Sequence, residues 1–432
     1  MNSKVATLRF ETLKAQIIVY LVAFVGLGAI MTVRQITKPS GLADFSVFYL
    51  GGQVAKQGVW VDLYPIPIPG AVGHPGLPDA SEPKPLYKSL AEAAGLKNPS
   101  RYVYTPPSAI LLIPFVHGSL ESSIVGWWIL MGVCCYGSAL VSGAMYERIA
   151  GRRDWLWAMV VLAVAWCPLT WATIRSANTS AASSLMIGLM LYGLVTRKSV
   201  LTSIAFYVGA ALKFATVPLL LIPLVLGRYR MVAMCAVVST ILTIACVAMT
   251  GIGPWREYVA LLPTLSRPVR YPVNISALGL INRFVPTDYL SMALAARQAA
   301  LAIFLGVALY GLYRNRHQED AGVMLAGGSA LLGWFLVFAP TTENHYFTYL
   351  LPLWGYYIAE SRQSCLAALA ALAVIGGTII PFGGSSRDLS PLAQSHMVWS
   401  AATALIYGIA RLYQQAARLP AAASDRVGTT VL

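Results

Sequence analysis

Long apolar runs alternate with short polar connectors along almost the whole chain. A helix needs ~20 apolar residues to cross the hydrocarbon of a bilayer, fewer where it is short or tilted. By that measure 15–33, 123–145, 156–174, 180–196, 231–250, 295–313, 322–338, 346–360, 365–382 and 395–412 read as membrane helices. One further run, Val200 to Leu226, carries a single charge, Lys213, near its middle. A cation at that depth costs about 3 kcal/mol or more unless a partner or a watery cavity receives it.

Sorting the connectors by Lys and Arg decides how that run is threaded. Segments 1–14, 146–155, 197–199, 227–230, 314–321, 360–364 and the tail after Arg411 are short or terminal and basic, the mark of cytoplasmic loops. All of them share one side only if Val200–Leu226 crosses out and back, as a hairpin with Lys213 at or near its outer tip. One long span with a snorkelling lysine would put two basic connectors on opposite sides. The hairpin brings the count to about twelve membrane helices with both ends inside. The outward segments are then 34–122, 175–179, the tip at Lys213, 251–294, 339–345 and 383–394.

Composition agrees: 57% of the 432 residues are hydrophobic and 11% charged, where soluble domains carry about 25% charged residues. The net charge of +14 is scattered through the connectors, which argues against nucleic acid as a partner and for membrane lipids. The six cysteines (134, 135, 167, 235, 246, 365) sit in or beside apolar runs without metal spacing, so they read as small hydrophobes. Residues 1–14 precede an apolar run with no small-residue cleavage site, so that run reads as a retained span. No linker or repeat divides the chain, and residues 1–432 read as one all-α polytopic membrane domain.

The outward segments hold nearly every polar residue suited to chemistry. The first, 34–122, is long and proline-rich, which marks loops with a function. Within it Pro83–Leu96 has the spacing of a helix lying along the membrane surface, and 104–115 is too short to span before Glu121. Asp44 opens a short amphipathic segment with Phe45, Phe48 and Tyr49 on one side. A carboxylate in a first turn reads as a helix cap, or as a proton acceptor for an attacking hydroxyl. His345, with Glu343 placed to orient its ring, is a candidate base or phosphate partner, although an isolated interfacial histidine is more often structural. Arg256, Arg267, Arg270 and Arg283 lie in an outward loop against the positive-inside tendency, and their guanidinium forks suit phosphate, with anionic lipid headgroups an equal alternative for Arg256 and Arg267. Arg175 and Asn178 occupy a tight turn on the same face. Tyr49, Tyr104, Asn178, Asn274, Ser276 and Glu343 complete the candidate substrate contacts. Walker loops, Rossmann fingerprints and zinc spacings are lacking, which disfavours a nucleotide donor.

These residues also form an ordered set. D-F-x-V-F-Y-x-x-G (Asp44 to Gly52) is followed by G-x-x-x-x-L-Y-P (Gly58 to Pro65) and Y-x-P-P (Tyr104 to Pro107). Then come A-L-K (Ala211 to Lys213), N-x-S with a later arginine (Asn274, Ser276, Arg283), and Pro340 to His345 ahead of L-L-P (Leu350 to Pro352). Over nearly its whole length the chain resembles the bacterial GT-C glycosyltransferases of family 87, of the polyprenyl-phosphate-mannose-dependent mannosyltransferase type. The resemblance implies a GT-C-type fold in the bacterial inner membrane with an extracytoplasmic active site. It implies transfer of a sugar, mannose by likeness, from a polyprenyl-phosphate donor to a lipid or glycan hydroxyl, with inversion. Asp44 matches the family's first-loop acidic residue and His345 its late-loop histidine, a second candidate base. Lys213 matches the hairpin lysine and is assigned to the lipid phosphate with Arg175, Arg267, Arg270 and Arg283. Three positions depart from the family pattern: G-Q-x-N is Arg175-Ser-Ala-Asn178, Lys-Pro is Lys213-Phe214, and His-His is His345-Tyr346.

No cofactor is expected, and metal independence follows from the scarcity of outer carboxylates, Glu343 being the local companion to Asp44. The rival reading is a transporter or flippase for an anionic lipid or solute. It predicts paired helix interruptions in two halves of the chain, and the sequence offers one, at Lys213. A lipid-linked sugar ligase or polymerase would place its largest outer loop late, whereas here the first loop is the longest.

Overall fold

A computed structural model describes residues 42–67, 81–96, 101–265, 274–379 and 395–418, with isolated helical positions at 18, 22 and 26. The expected first span 15–33 otherwise lies outside the described residues, as do 383–394, Arg267 and Arg270. What is described is helical apart from turns and one two-residue antiparallel bridge, Ile66–Pro67 against Ser81–Glu82.

Among the described residues four helices are long and apolar enough to cross a membrane: Leu120–Ala150, Tyr229–Thr250, Thr287–Arg314 and Ala321–Phe338. Their ends follow local chemistry. Ser119 caps the first by accepting from Ser122 N, and Gly151, with φ 69°, closes it in the left-handed region. Asp320 caps the last by accepting from Gly322 N at 2.7 Å. Ala321–Phe338 is almost wholly buried and packs on His396–Ala417. There a Cβ on Gly333 would stand 2.5 Å from the Ala401 carbonyl, and one on Gly408 2.5 Å from Ala330 N. Such backbone approach replaces the hydrophobic drive that helices lack in lipid. Tyr229–Thr250 and Thr287–Arg314 instead leave Val237, Ile241, Ile244 and Ile303 exposed, the face expected toward acyl chains.

Three expected spans are corrected. The run 156–174 is two helices, Trp155–Ala165 and Pro168–Ser176, because Pro168 cannot continue the first. The run 346–360 begins as a 3-10 helix, Asn344–Leu353, and turns α-helical only over Trp354–Ser361. The span placed at 295–313 starts at Thr287, since Asp288 and Tyr289 continue the helix into what reads as loop. In the first loop, helices cover Leu42–Lys56, Pro85–Ala93 and Pro106–Leu112, and Phe45–Leu50 is buried all round and does not show the one-sided pattern expected of a surface helix.

Val200–Leu226 is a hairpin. Helix Ser199–Leu212 ends at Lys213, whose backbone is extended (φ −159°, ψ 137°), and the chain returns through 3-10 turns and Leu221–Val225. Thr216 Oγ1 donates to the Phe206 carbonyl at 3.1 Å, across the two arms. At the far end Arg228 Nη1 reaches the Leu194 carbonyl at 3.0 Å, so the chain comes back to where Arg197 and Lys198 left it. Ser203 and Cys235 meet near the starts of Ser199–Leu212 and Tyr229–Thr250, which therefore run in the same direction.

Candidate functional site

Lys213 stands at the break between the hairpin arms, held there from both sides. Behind it, the Ala211 carbonyl accepts from Thr105 Oγ1 at 2.7 Å and Ser108 Oγ at 2.5 Å. The segment around Tyr104–Pro107 thus caps the last turn of the outgoing arm. Ahead of it, the half-buried ammonium donates to Asn178 Oδ1 at 2.8 Å and Ser180 Oγ at 3.1 Å. It stands 3.1 Å from His345 Nε2 and 3.9 Å from the centroid of the Tyr346 ring.

Each of these partners is set by its own turn. Asn178 follows Ala177, whose φ of 51° is left-handed and strained for a residue with a Cβ. The Ala177 carbonyl accepts from Trp127 Nε1 at 2.8 Å, which pins the turn to Leu120–Ala150. Asn178 Oδ1 also accepts from Ser180 N at 3.1 Å and Ser180 Oγ at 3.0 Å, opening helix Ser180–Val195. His345 and Tyr346 occupy the first turn of the 3-10 helix, and Tyr346 stacks on Tyr349 at 5.7 Å. Thr348 locks this turn by donating to the His345 carbonyl at 2.7 Å.

The histidine's protonation follows from its surroundings. An ammonium has only donors, so Nε2 accepts from Lys213 and the proton of neutral His345 is on Nδ1, 3.5 Å from Glu343 Oε2. Burial, reinforced by the Lys213 charge, holds the imidazole well below its usual titration range. The Lys213 ammonium thus meets two oxygen acceptors, an imidazole nitrogen and an aromatic face, the last contributing about 1–2 kcal/mol where desolvated.

The structure brings Lys213, Asn178, His345 and Glu343 together. Asn274 and Ser276 act one layer out. Asn274 Nδ2 donates to the Pro340 carbonyl at 3.0 Å, and its Oδ1 accepts from Thr342 N at 3.1 Å. Ser276 caps helix Ala277–Phe284 by accepting from Gly279 N at 3.1 Å. A Cβ on Gly279 would collide with the Asn274 carbonyl at 2.3 Å, so only glycine lets that helix sit so close. Arg283 Nη2 donates to the same carbonyl at 3.1 Å. These residues fasten the strap that leads to Glu343 and His345.

Tyr49 and Tyr104 belong to the first-loop packing. Tyr49 donates to the Gly118 carbonyl at 3.0 Å, and the Tyr104 carbonyl accepts from Tyr64 at 2.6 Å. Asp44 lies in the first turn of Leu42–Lys56, which packs on Pro106–Leu112 and Pro168–Ser176 and so reaches this end of the bundle. The side chains of Asp44 and Arg175 lie outside the described residues, as do Arg267 and Arg270 entirely. Ser180 and the Tyr346 face were missed from sequence.

A family model matches residues 102–340, more than half of the 432-residue chain. The chain belongs to glycosyltransferase family 87. It is a membrane glycosyltransferase, and the matched region contains the hairpin with Lys213, the Asn178 turn and the Asn274–Arg283 strap. Asp44, Glu343 and His345 fall outside the matched range, so their placement here rests on geometry. No curated protein matches the chain.

At the other end of Ser180–Val195 this glycosyltransferase carries a second group of buried charges. Glu360 and Arg411, both nearly inaccessible, form an ion pair, and Tyr407 donates to Glu360 Oε2 at 3.4 Å. They line a cavity of about 420 Å³ with Arg148, Asp320 and Gln415.

Proposed function

We propose that this glycosyltransferase moves a sugar, mannose by family likeness, from a polyprenyl-phosphate carrier to a lipid or glycan hydroxyl on the extracytoplasmic side, with inversion. The observation that carries the reading is Lys213, a cation at a break within apolar helices, gathered with Asn178, Ser180 and His345. A carrier lipid with its tail between the helices would present its phosphate at that depth. Arg175, Arg267, Arg270 and Arg283 are the candidates to assist. Asp44 or His345 takes the proton of the acceptor hydroxyl as its oxygen attacks the anomeric carbon.

The chemistry suits the residues. A phosphate departs readily once its charge is neutralised, so a site for this reaction needs fixed cations more than a strong acid. The lack of a nucleotide-binding fingerprint supports a lipid donor over a sugar nucleotide. Metal independence is part of the proposal, and unchanged turnover in excess chelator is its expected signature. The main test offers the purified protein, in liposomes that contain membrane lipid extract as the source of acceptor hydroxyls, polyprenyl-phosphate mannose and nucleotide sugars separately. Consumption of the lipid donor alone is expected; consumption of a sugar nucleotide alone would overturn the reading.

A further inference from the structure

Lys213 and His345 are within hydrogen-bond distance, 3.1 Å apart, and that adjacency bears on which side of the sugar each can serve. In an inverting displacement the base and the leaving group lie on opposite faces of the anomeric carbon. A group that touches the phosphate-binding cation therefore stands on the leaving-group side. The donor is a phosphodiester with one negative charge. When its C1–O bond breaks, the electron pair stays on the phosphate oxygen and the product is a monoester, which approaches a dianion at neutral pH. Further positive charge at that moment favours departure, and the titratable side chain in direct contact with the Lys213 ammonium is His345, at 3.1 Å.

We propose that His345 is a ligand of the departing phosphate: the donor's phosphate draws the Lys213 ammonium off Nε2, and the freed lone pair takes up a proton from solvent. The inference rests on the polyprenyl-phosphate reading and deepens it. The resulting imidazolium donates Nε2–H to the oxygen left by C1–O cleavage, beside the Lys213 ammonium. Its Nδ1–H faces Glu343 Oε2 at 3.5 Å, so a carboxylate is already placed to favour the charged ring. Tyr346 meets the imidazole edge-on at 4.7 Å, and Asn178 and Ser180 bind the same Lys213 ammonium at 2.8 and 3.1 Å. Proton removal from the acceptor then falls to the opposite face, which leaves Asp44 as the base.

The test uses full-length protein in nanodiscs with ¹⁵N-labelled histidine, five residues in all, the His345 signal being assigned by His345→Gln. Without lipid at pH 7 the ring should be neutral; with saturating polyprenyl phosphate, its binding read independently from the ³¹P signal, the ring should be charged. Lys213→Met should let His345 titrate without lipid. As a kinetic arm, a phosphorothioate donor, whose leaving group is less basic, should restore to His345→Gln about tenfold of the 10²–10⁴ that acid–base groups typically contribute. Lipid that binds while His345 stays neutral, or a His345→Gln enzyme indifferent to the leaving group, overturns the inference alone. Lipid that fails to bind overturns the donor reading, and the inference falls with it.

Discussion

The two buried charge groups at opposite ends of Ser180–Val195 solve the same problem differently. Arg411 is neutralised by Glu360, with Tyr407 completing the carboxylate. Lys213 is solvated by an amide oxygen, a hydroxyl, a neutral imidazole and a ring face. The Arg411 guanidinium meets a carboxylate directly, whereas these contacts at Lys213 come from an amide, a hydroxyl, an imidazole and a ring. The first arrangement holds helices together and the second is suited to a ligand.

Substitutions should separate the two. Lys213→Ala should cut transfer by about 10³ or more, as loss of transition-state charge stabilisation does, while its melting temperature changes little. Arg411→Ala should do the reverse, destabilising the protein by about 3–5 kcal/mol because Glu360 is left charged and buried. Thermal unfolding in detergent reads this, and the joint replacement Glu360→Leu with Arg411→Met should recover most of the loss. Glu343→Gln should slow kcat by about tenfold with little change in binding, the size of an orienting contact.

Smaller effects sharpen the same contrast. The buried neutral His345 binds a proton more weakly than the unfolded chain does. Its stability contribution is complete above the unfolded pKa of about 6.5 and is lost as pH falls toward the depressed folded value. Melting temperature should therefore decline below about pH 6.5 in the empty enzyme, and His345→Gln should flatten that slope. Ala177→Gly should add about 1 kcal/mol by relieving the left-handed φ, without altering the Lys213 contacts.

The hairpin was legible in the sequence because charge placement is a one-dimensional signal. Arg197-Lys198 and Arg228 had to return to one side, and Lys213 had to turn there. His345, Lys213 and Asn178 were each suspect on chemistry, yet their contact was not, since 35 and 132 residues separate Lys213 from the other two. Asn274 and Ser276 were read as substrate contacts because a polar motif in an outward loop looks functional. The structure shows what the motif cannot, that the Pro340 carbonyl and Thr342 N–H are their partners. Helix boundaries failed where hydropathy and backbone disagree: Pro168 breaks an apolar run, and Thr287–Tyr289 are polar yet helical. The Glu360–Arg411 pair was invisible, because each residue stood near a basic connector and looked like part of a solvated edge.

The central claim is that Lys213 serves the phosphate of a lipid-borne sugar. The most direct measurement is single-turnover consumption of radiolabelled polyprenyl-phosphate mannose by the wild-type and Lys213→Ala proteins in liposomes that contain membrane lipid extract as acceptor, each protein shown to be folded by its melting curve. The account predicts release of polyprenyl phosphate by the wild type and none above background by the variant. Equal turnover by a folded Lys213→Ala protein would contradict it.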